Sequence, residues 1–290
     1  MPESGTTPET QQPARESFGS RLAAAMDSRG PLCVGIDPHP QLLADWGLND
    51  DAAGLERFSL TVVEAVASLA AAVKPQVALY ERHGSAGMAV LERTLAAASE
   101  AGVLSIADAK RGDIGSTMAA YADAWLRDGS SLAADSVTLS PYLGFESLRP
   151  ALDLAAEYGR GVFVLALTSN PEGKGVQHAG GADSVARRIV AAAAAENERY
   201  AGSLGSVGLV VGATIGSALD DLGIDLKPVK GAILAPGLGA QGATPADLRA
   251  TFGSAYPAVL ATSSRGILAA GPTVAGLRRA AEDALGGLRA

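Results

Sequence analysis

A chain of 290 residues with 48% apolar side chains can bury a large core, and with only 4% aromatic residues that core must be filled by Ala, Val and Leu. A formal net charge of −8 argues against nonspecific binding to nucleic acid or to anionic lipid surfaces. The single cysteine excludes an intrachain disulfide and a cysteine-based zinc site, and no stretch approaches the roughly 18 uninterrupted apolar residues of a membrane span.

Residues 1–17 are rich in Pro, Thr, Glu and Gln and lack the apolar segment of a secretory signal, so they read as a disordered tail on a cytoplasmic protein. Phe18 to Asp27 reads as a short amphipathic lead-in helix. Strand-length apolar runs then recur at Leu32–Ile36, Val73–Leu79, Val103–Ala107, Ser136–Leu139, Gly161–Leu167, Gly208–Val211, Ala232–Ala235 and Ala258–Ala261. Helix-like stretches alternate with them at Ala52–Ala72, Gly87–Ala101, Ile114–Arg127, Phe145–Tyr158, Ala182–Ala201, Ile215–Leu222 (the weakest), Pro245–Thr251 and Thr273–Leu285. Eight β/α pairs without a break in composition predict an α/β fold, a (β/α)8 TIM barrel forming one domain over residues 18–290. The rival is an open doubly wound sheet. It usually carries GxGxxG after its first strand, where this chain has Gly35-Ile-Asp37-Pro-His39-Pro40.

Barrel chemistry sits at the C-terminal ends of the strands. Polar residues fall there after runs one, three, four, five, seven and eight: Asp37, Asp108 with Lys110, Ser140, Thr168-Ser-Asn170, Gly237-Leu-Gly-Ala-Gln241-Gly and Thr262-Ser-Ser-Arg265-Gly266. Lys74 breaks the pattern by standing at the start of its run. Asp108 and Lys110, two apart, share a strand face. Asp113 follows Gly112 near the next helix and reads equally as a helix N-cap. Burying this many charges at one strand end is costly unless they pair. The glycine-rich turns after runs seven and eight leave backbone N–H groups bare beside Arg265, which favours an anion, and phosphate is the usual one in such barrels. His39 has no partner at metal-ligand spacing.

Taken together, Gly35-Ile-Asp37-Pro, Lys74-Pro, Asp108-Ala-Lys-Arg-Gly-Asp113-Ile-Gly, Ser140-Pro-Tyr-Leu-Gly, Thr168-Ser-Asn-Pro, Ala235-Pro-Gly-Leu-Gly-Ala-Gln241-Gly and Ser264-Arg265-Gly266 resemble the orotidine 5′-phosphate decarboxylase family in its longer bacterial form, in order and over nearly all of the chain from Phe18. The resemblance implies conversion of orotidine 5′-monophosphate to uridine 5′-monophosphate and CO2 in pyrimidine biosynthesis, with no metal and no organic cofactor. It implies catalysis by Lys110, Asp108, Asp113 and Lys74, with Lys110 protonating C6. It places the ribose on Asp37, the phosphate on Gln241, Ser264, Arg265 and Gly266, and the pyrimidine on Ser140. It also implies a homodimer with shared active sites, in which Asp113 and Thr117 reach into the partner's site.

Two alternatives stand beside this reading. A magnesium-dependent sugar-phosphate decarboxylase or aldolase shares Asp-x-Lys-x-x-Asp but needs an acidic residue where this chain has Lys74, and a protonated lysine cannot ligate the ion. A non-catalytic phosphate-binding barrel would keep the Gln241 and Arg265 loops without needing charge at Asp108 and Lys110.

Overall fold

Strand burial and order settle the architecture. In the computed structural model, which describes residues 15–200, 204–239 and 242–289, the strands β1 (Leu32–Ile36), β2 (Ala72–Pro75), β3 (Leu104–Arg111), β4 (Ser136–Leu139), β5 (Gly161–Leu167), β6 (Gly205–Val211), β7 (Gly231–Pro236) and β8 (Val259–Ser263) pair in parallel in chain order. Leu32, Cys33 and Val34 of β1 pair with Ala261, Thr262 and Ser263 of β8, which closes the barrel. β1, β2, β4 and β6 are buried at every residue, as strands covered on both faces must be, so they read as continuous apolar runs and not as alternations.

The outer ring includes Ala52–Val66, Gly84–Glu100, Gly115–Leu126, Arg149–Glu157, Val185–Asn197, Pro245–Phe252 and Val274–Arg289. Local chemistry sets several of their starts. Asp51 accepts from the Gly54 N–H at 2.8 Å, and Thr244 with Asp247 forms a reciprocal capping box ahead of Pro245. No described helix is long and apolar enough to cross a membrane.

One end of the barrel is plugged. The helix Phe18–Arg29 lays Phe18 and Leu22 against Cys33, Ile106, Phe163, Leu234 and Leu260. Phe18 meets Phe163 edge-on at 5.9 Å. Gly161 makes that approach possible, because a Cβ there would stand 2.1 Å from the Phe18 ring. The open end is therefore the C-terminal mouth. Of the expected tail, residues 1–14 lie outside the described residues. Arg15 bonds Asp128 at 2.8 Å and the Tyr158 carbonyl at 3.0 Å, and Ser17 caps the first helix.

Several boundaries differ from the sequence expectation, and the largest difference matters for the site. The helix expected over Ala52–Ala72 ends at Val66, and β2 runs Ala72–Pro75 where Val73–Leu79 was expected. Val77, from the expected run, and Tyr80, just past it, lie in a helical turn, with the Tyr80 N–H on the Val77 carbonyl at 2.9 Å. Both are fully buried, so the same hydrophobic letters fit either structure. Lys74 thus stands near the C-terminal end of its strand, at the mouth with the other polar residues. β3 extends four residues past its expected end, to Arg111.

Candidate functional site

β3 carries the charges to the mouth in an unusual backbone. Its register against β4 shifts between Ala107 and Arg111, and Lys110 inside that shift has φ +49°, one of two non-glycine residues in the left-handed region among those described. Such a conformation costs a bulky residue free energy and tends to mark functional sites. The bulge brings the Lys110 Nζ back onto Asp108 Oδ1 at 2.5 Å. Gly112 is needed just beyond, because a Cβ there would lie 2.3 Å from the Ser140 carbonyl oxygen.

Asp108 is the hub. Its Oδ1 accepts from Lys110 Nζ and, at 3.0 Å, from the Thr138 hydroxyl. Its Oδ2 accepts from Lys74 Nζ at 2.8 Å and from Gln76 Nε2 at 3.0 Å. Burial opposes ionisation of Asp108, but the neighbouring Lys74 and Lys110 ammoniums and their hydrogen bonds outweigh it and hold the carboxyl well below the usual carboxylate range. Burial likewise opposes the Lys74 ammonium, and the Asp108 and Asp37 carboxylates overcome it and raise its pKa above the ordinary lysine value. Lys74 and Asp108 are nearly fully enclosed, whereas the Lys110 side chain stays 45% exposed to the mouth.

These groups line one wall of a cavity of about 340 Å3. Asp37 lines it beyond β1, and its Oδ1 is buried without a hydrogen-bond partner among the described residues. An unpaired buried carboxylate oxygen is expensive unless a ligand donor meets it. Across the cavity lie Gly237, Leu238, Ser264 and Arg265. Ser264 comes so close to β1 that a Cβ on Gly35 would stand 1.8 Å from its Oγ. Arg265 forms no ion pair among the described residues and opens the short helix Arg265–Leu268, whose first N–H groups have no partner within the helix. Gly266 sits in that same turn. Gln241 lies outside the described residues. Leu165, Val210 and Pro236 add an apolar strip, with Thr168, Ser169 and Asn170 beside it.

The structure thus brings Asp37, Lys74, Asp108, Lys110, Ser264 and Arg265 together in one chain, and four expected residues, Gly266, Ser140, Asp113 and Thr117, do not line the cavity. Ser140 does not line the cavity; its N–H bonds the Arg111 carbonyl at 2.8 Å, and it faces Gly112. The polar groups that do line the cavity on the β5 side are Thr168, Ser169 and Asn170. Asp113 and Thr117 also lie outside the lining. Asp113 accepts from the Ile114 N–H at 2.8 Å, and Ile114, with Tyr142 and Leu143 in the loop that meets it at Gly112 and Ser140, is exposed, at 61%, 79% and 55% respectively. Gln76 and Thr138 join the hub although no motif of the sequence marks them. Gln76 was detectable by the same two-residue spacing that linked Asp108 to Lys110, had Lys74 been placed at the correct end of its strand. Cys33 is no nucleophile, since burial pushes its thiol up to about 12.

A buried carboxylate hub at the mouth of a (β/α)8 barrel, with an exposed ammonium on one side and a glycine-rich cationic rim on the other, defines a barrel enzyme that acts on a small anionic substrate. The chain belongs to the orotidine 5′-phosphate decarboxylase / HUMPS family, whose model matches residues 30–280. It is 60% identical over 272 residues to an orotidine 5′-phosphate decarboxylase of Streptomyces coelicolor, covering 92% of this chain and 95% of that one. A crystal structure from Streptomyces avermitilis superposes with a TM-score of 0.92 at 57% identity, covering 98% of both chains. The orotidine monophosphate decarboxylase of Leishmania donovani superposes with a TM-score of 0.74 at 30% identity, covering 94% of this chain and all of that one.

Proposed function

We propose that the chain decarboxylates orotidine 5′-monophosphate to uridine 5′-monophosphate and CO2 without a metal or an organic cofactor, with Lys110 as the proton donor to C6. The observation that carries this reading is the Asp108 hub, which holds the Lys110 ammonium at the cavity wall opposite Ser264 and Arg265. The C6–carboxylate bond breaks heterolytically, CO2 leaves, and the electron pair stays in an in-plane orbital at C6 that the ring cannot delocalise. Stabilisation must then be local and electrostatic, which a fixed ammonium supplies. The same ammonium gives its proton to C6, and Lys110 recovers one from solvent through the open mouth.

Other groups hold the substrate. Arg265 with Ser264, the N–H groups around Gly266, and Gln241 hold the phosphate. The unpaired Asp37 Oδ1 accepts from a ribose hydroxyl, and Lys74 lies close enough to Asp37 to share that region. The apolar strip of Leu165, Val210 and Pro236 suits the flat face of a pyrimidine, and Ser169 and Asn170 supply its edge contacts in place of Ser140. Phosphate contacts remote from C6 provide binding energy that organises the site for the transition state.

A magnesium-dependent sugar-phosphate reaction fits the hub poorly, because both Asp108 oxygens already accept two hydrogen bonds each and one donor is the Lys74 ammonium. The deciding measurement follows the loss of orotidine monophosphate absorbance with and without excess chelator. Equal turnover in both is expected; turnover abolished by chelator, or none in either, sinks the reading.

The reading includes a homodimer whose partner supplies Asp113 and Thr117. The exposed apolar group of Ile114, Tyr142 and Leu143 beside Asp113 supports it. A Lys110→Ala protein and an Asp113→Ala protein, each inactive alone, are expected to regain about a quarter of wild-type activity when their subunits are exchanged at equal amounts, because one hybrid site keeps both residues. No recovery after proven exchange would place Asp113 in its own chain's site or outside the chemistry.

A further inference from the structure

We propose that Thr138 is a positioning residue for Lys110, its one hydroxyl setting both the backbone turn and the carboxylate that aim the ammonium. This rests on the assignment of Lys110 as proton donor. Thr138 lies in β4, is 1% exposed and does not line the cavity, so it touches no substrate.

Its hydroxyl does two things at once. The oxygen accepts from the Lys110 backbone N–H at 2.9 Å, and its proton goes to Asp108 Oδ1 at 3.0 Å. The first bond falls at the residue with φ +49°, inside the register shift between β3 and β4. Where the ladder is interrupted, a backbone N–H has lost its regular carbonyl partner, and Thr138 replaces that partner with a side chain from the neighbouring strand. The second bond lands on the oxygen that also receives Lys110 Nζ. One oxygen atom therefore ties the start of the lysine side chain to its far end, through the backbone on one side and the carboxylate on the other.

A flexible four-carbon side chain has many rotamers, and a hydrogen bond at its tip alone leaves its root free to relax out of the left-handed region. Fixing both ends leaves few geometries, and this is the supporting shell that a precisely aimed group requires. Arg111 braces the same turn from outside, donating to the Ala109 carbonyl at 2.9 Å while its guanidinium packs 5.7 Å over Tyr121 and pairs with Glu81.

The test compares Thr138→Val, which keeps the shape and removes both hydrogen bonds, with Thr138→Ser, which keeps both. Orotidine monophosphate turnover, uridine monophosphate binding by calorimetry and thermal unfolding are measured on the full chain. The expected result is a fall in kcat of about 10- to 100-fold in Thr138→Val, the scale of a displacement near 1 Å. Binding of uridine monophosphate should stay within about threefold of wild type, and Thr138→Ser should recover most of kcat. Unchanged kcat in Thr138→Val, with wild-type turnover present, overturns the proposal and leaves the reaction standing. Unfolding, or a loss of nucleotide binding in step with kcat, assigns the hydroxyl to the scaffold and also overturns it. A wild-type protein without turnover removes the reading of Lys110 itself, and the proposal with it.

Discussion

Replacing Lys110 by Ala is expected to lower kcat by at least about 10⁴-fold, roughly 5 kcal/mol of transition-state stabilisation, while uridine monophosphate binds within about tenfold of wild type. The asymmetry follows from what the truncation removes. Asp108 keeps Lys74, Gln76 and Thr138, three of its four donors, so the hub survives. Ser264, Arg265 and Asp37 are untouched, so the contacts remote from C6 persist. What is lost is the half-exposed ammonium at the cavity wall, which the proposed reaction sets beside C6. An interaction made chiefly in the transition state appears in kcat and not in ground-state binding. Lys110→Arg extends the test, since guanidinium keeps the charge but does not release its proton. It should retain nucleotide binding and still lack turnover. Rates within tenfold of wild type in either variant would take the proton transfer away from Lys110.

The barrel was legible because each of its units repeats one pattern, a buried apolar run followed by a longer amphipathic stretch, and the polar residues after the runs fall at one end. The failures have physical causes. Val77 and Tyr80 are as buried in a helical turn as they would be in a strand, so hydrophobicity alone could not place the end of β2, and Lys74 went to the wrong pole. The contact of Thr138 with Asp108 passes between strands 30 residues apart, where no local spacing rule reaches, and Gln76 was lost with the misplaced Lys74 two residues before it. Ser140, on which the resemblance placed the pyrimidine, has its N–H on the Arg111 carbonyl and does not line the cavity, a placement set by β3 and not by its own motif. The role of Asp113 depends on a surface, and a linear pattern does not say what meets a surface.

Asp108→Asn is expected to destabilise the protein and to reverse the sign of its alkaline pH dependence. The carboxylate neutralises Lys74, whose side chain is 6% exposed, and Lys110 at the cavity wall. An amide of the same shape removes the charge and points donor hydrogens at donors. Leaving a buried ammonium without its partner costs about 3–5 kcal/mol. At roughly 2 cal/mol/K of unfolding entropy per residue this lowers Tm by roughly 5–8 °C.

The sign follows from Lys74. In the wild type its folded pKa is raised above the unfolded value, so the native state holds the proton more tightly and its contribution is lost as pH rises through about 10 and beyond. Without Asp108 only the Asp37 carboxylate is left to oppose burial, so the folded value is expected to fall below the unfolded one; the unfolded state then binds more protons and stability grows as pH approaches 10. At the acid end, the depressed carboxyl of wild-type Asp108 contributes stability that is lost as pH falls from about 4 downward, and the variant lacks this component. Tm measured from pH 7 to 10.5 therefore separates two accounts of the hub. A profile for Asp108→Asn parallel to wild type would mean that Lys74 finds another counter-charge and that the carboxylate is not what keeps it ionised. A rising profile would show that the Asp108 carboxylate is what holds the buried Lys74 in its charged form.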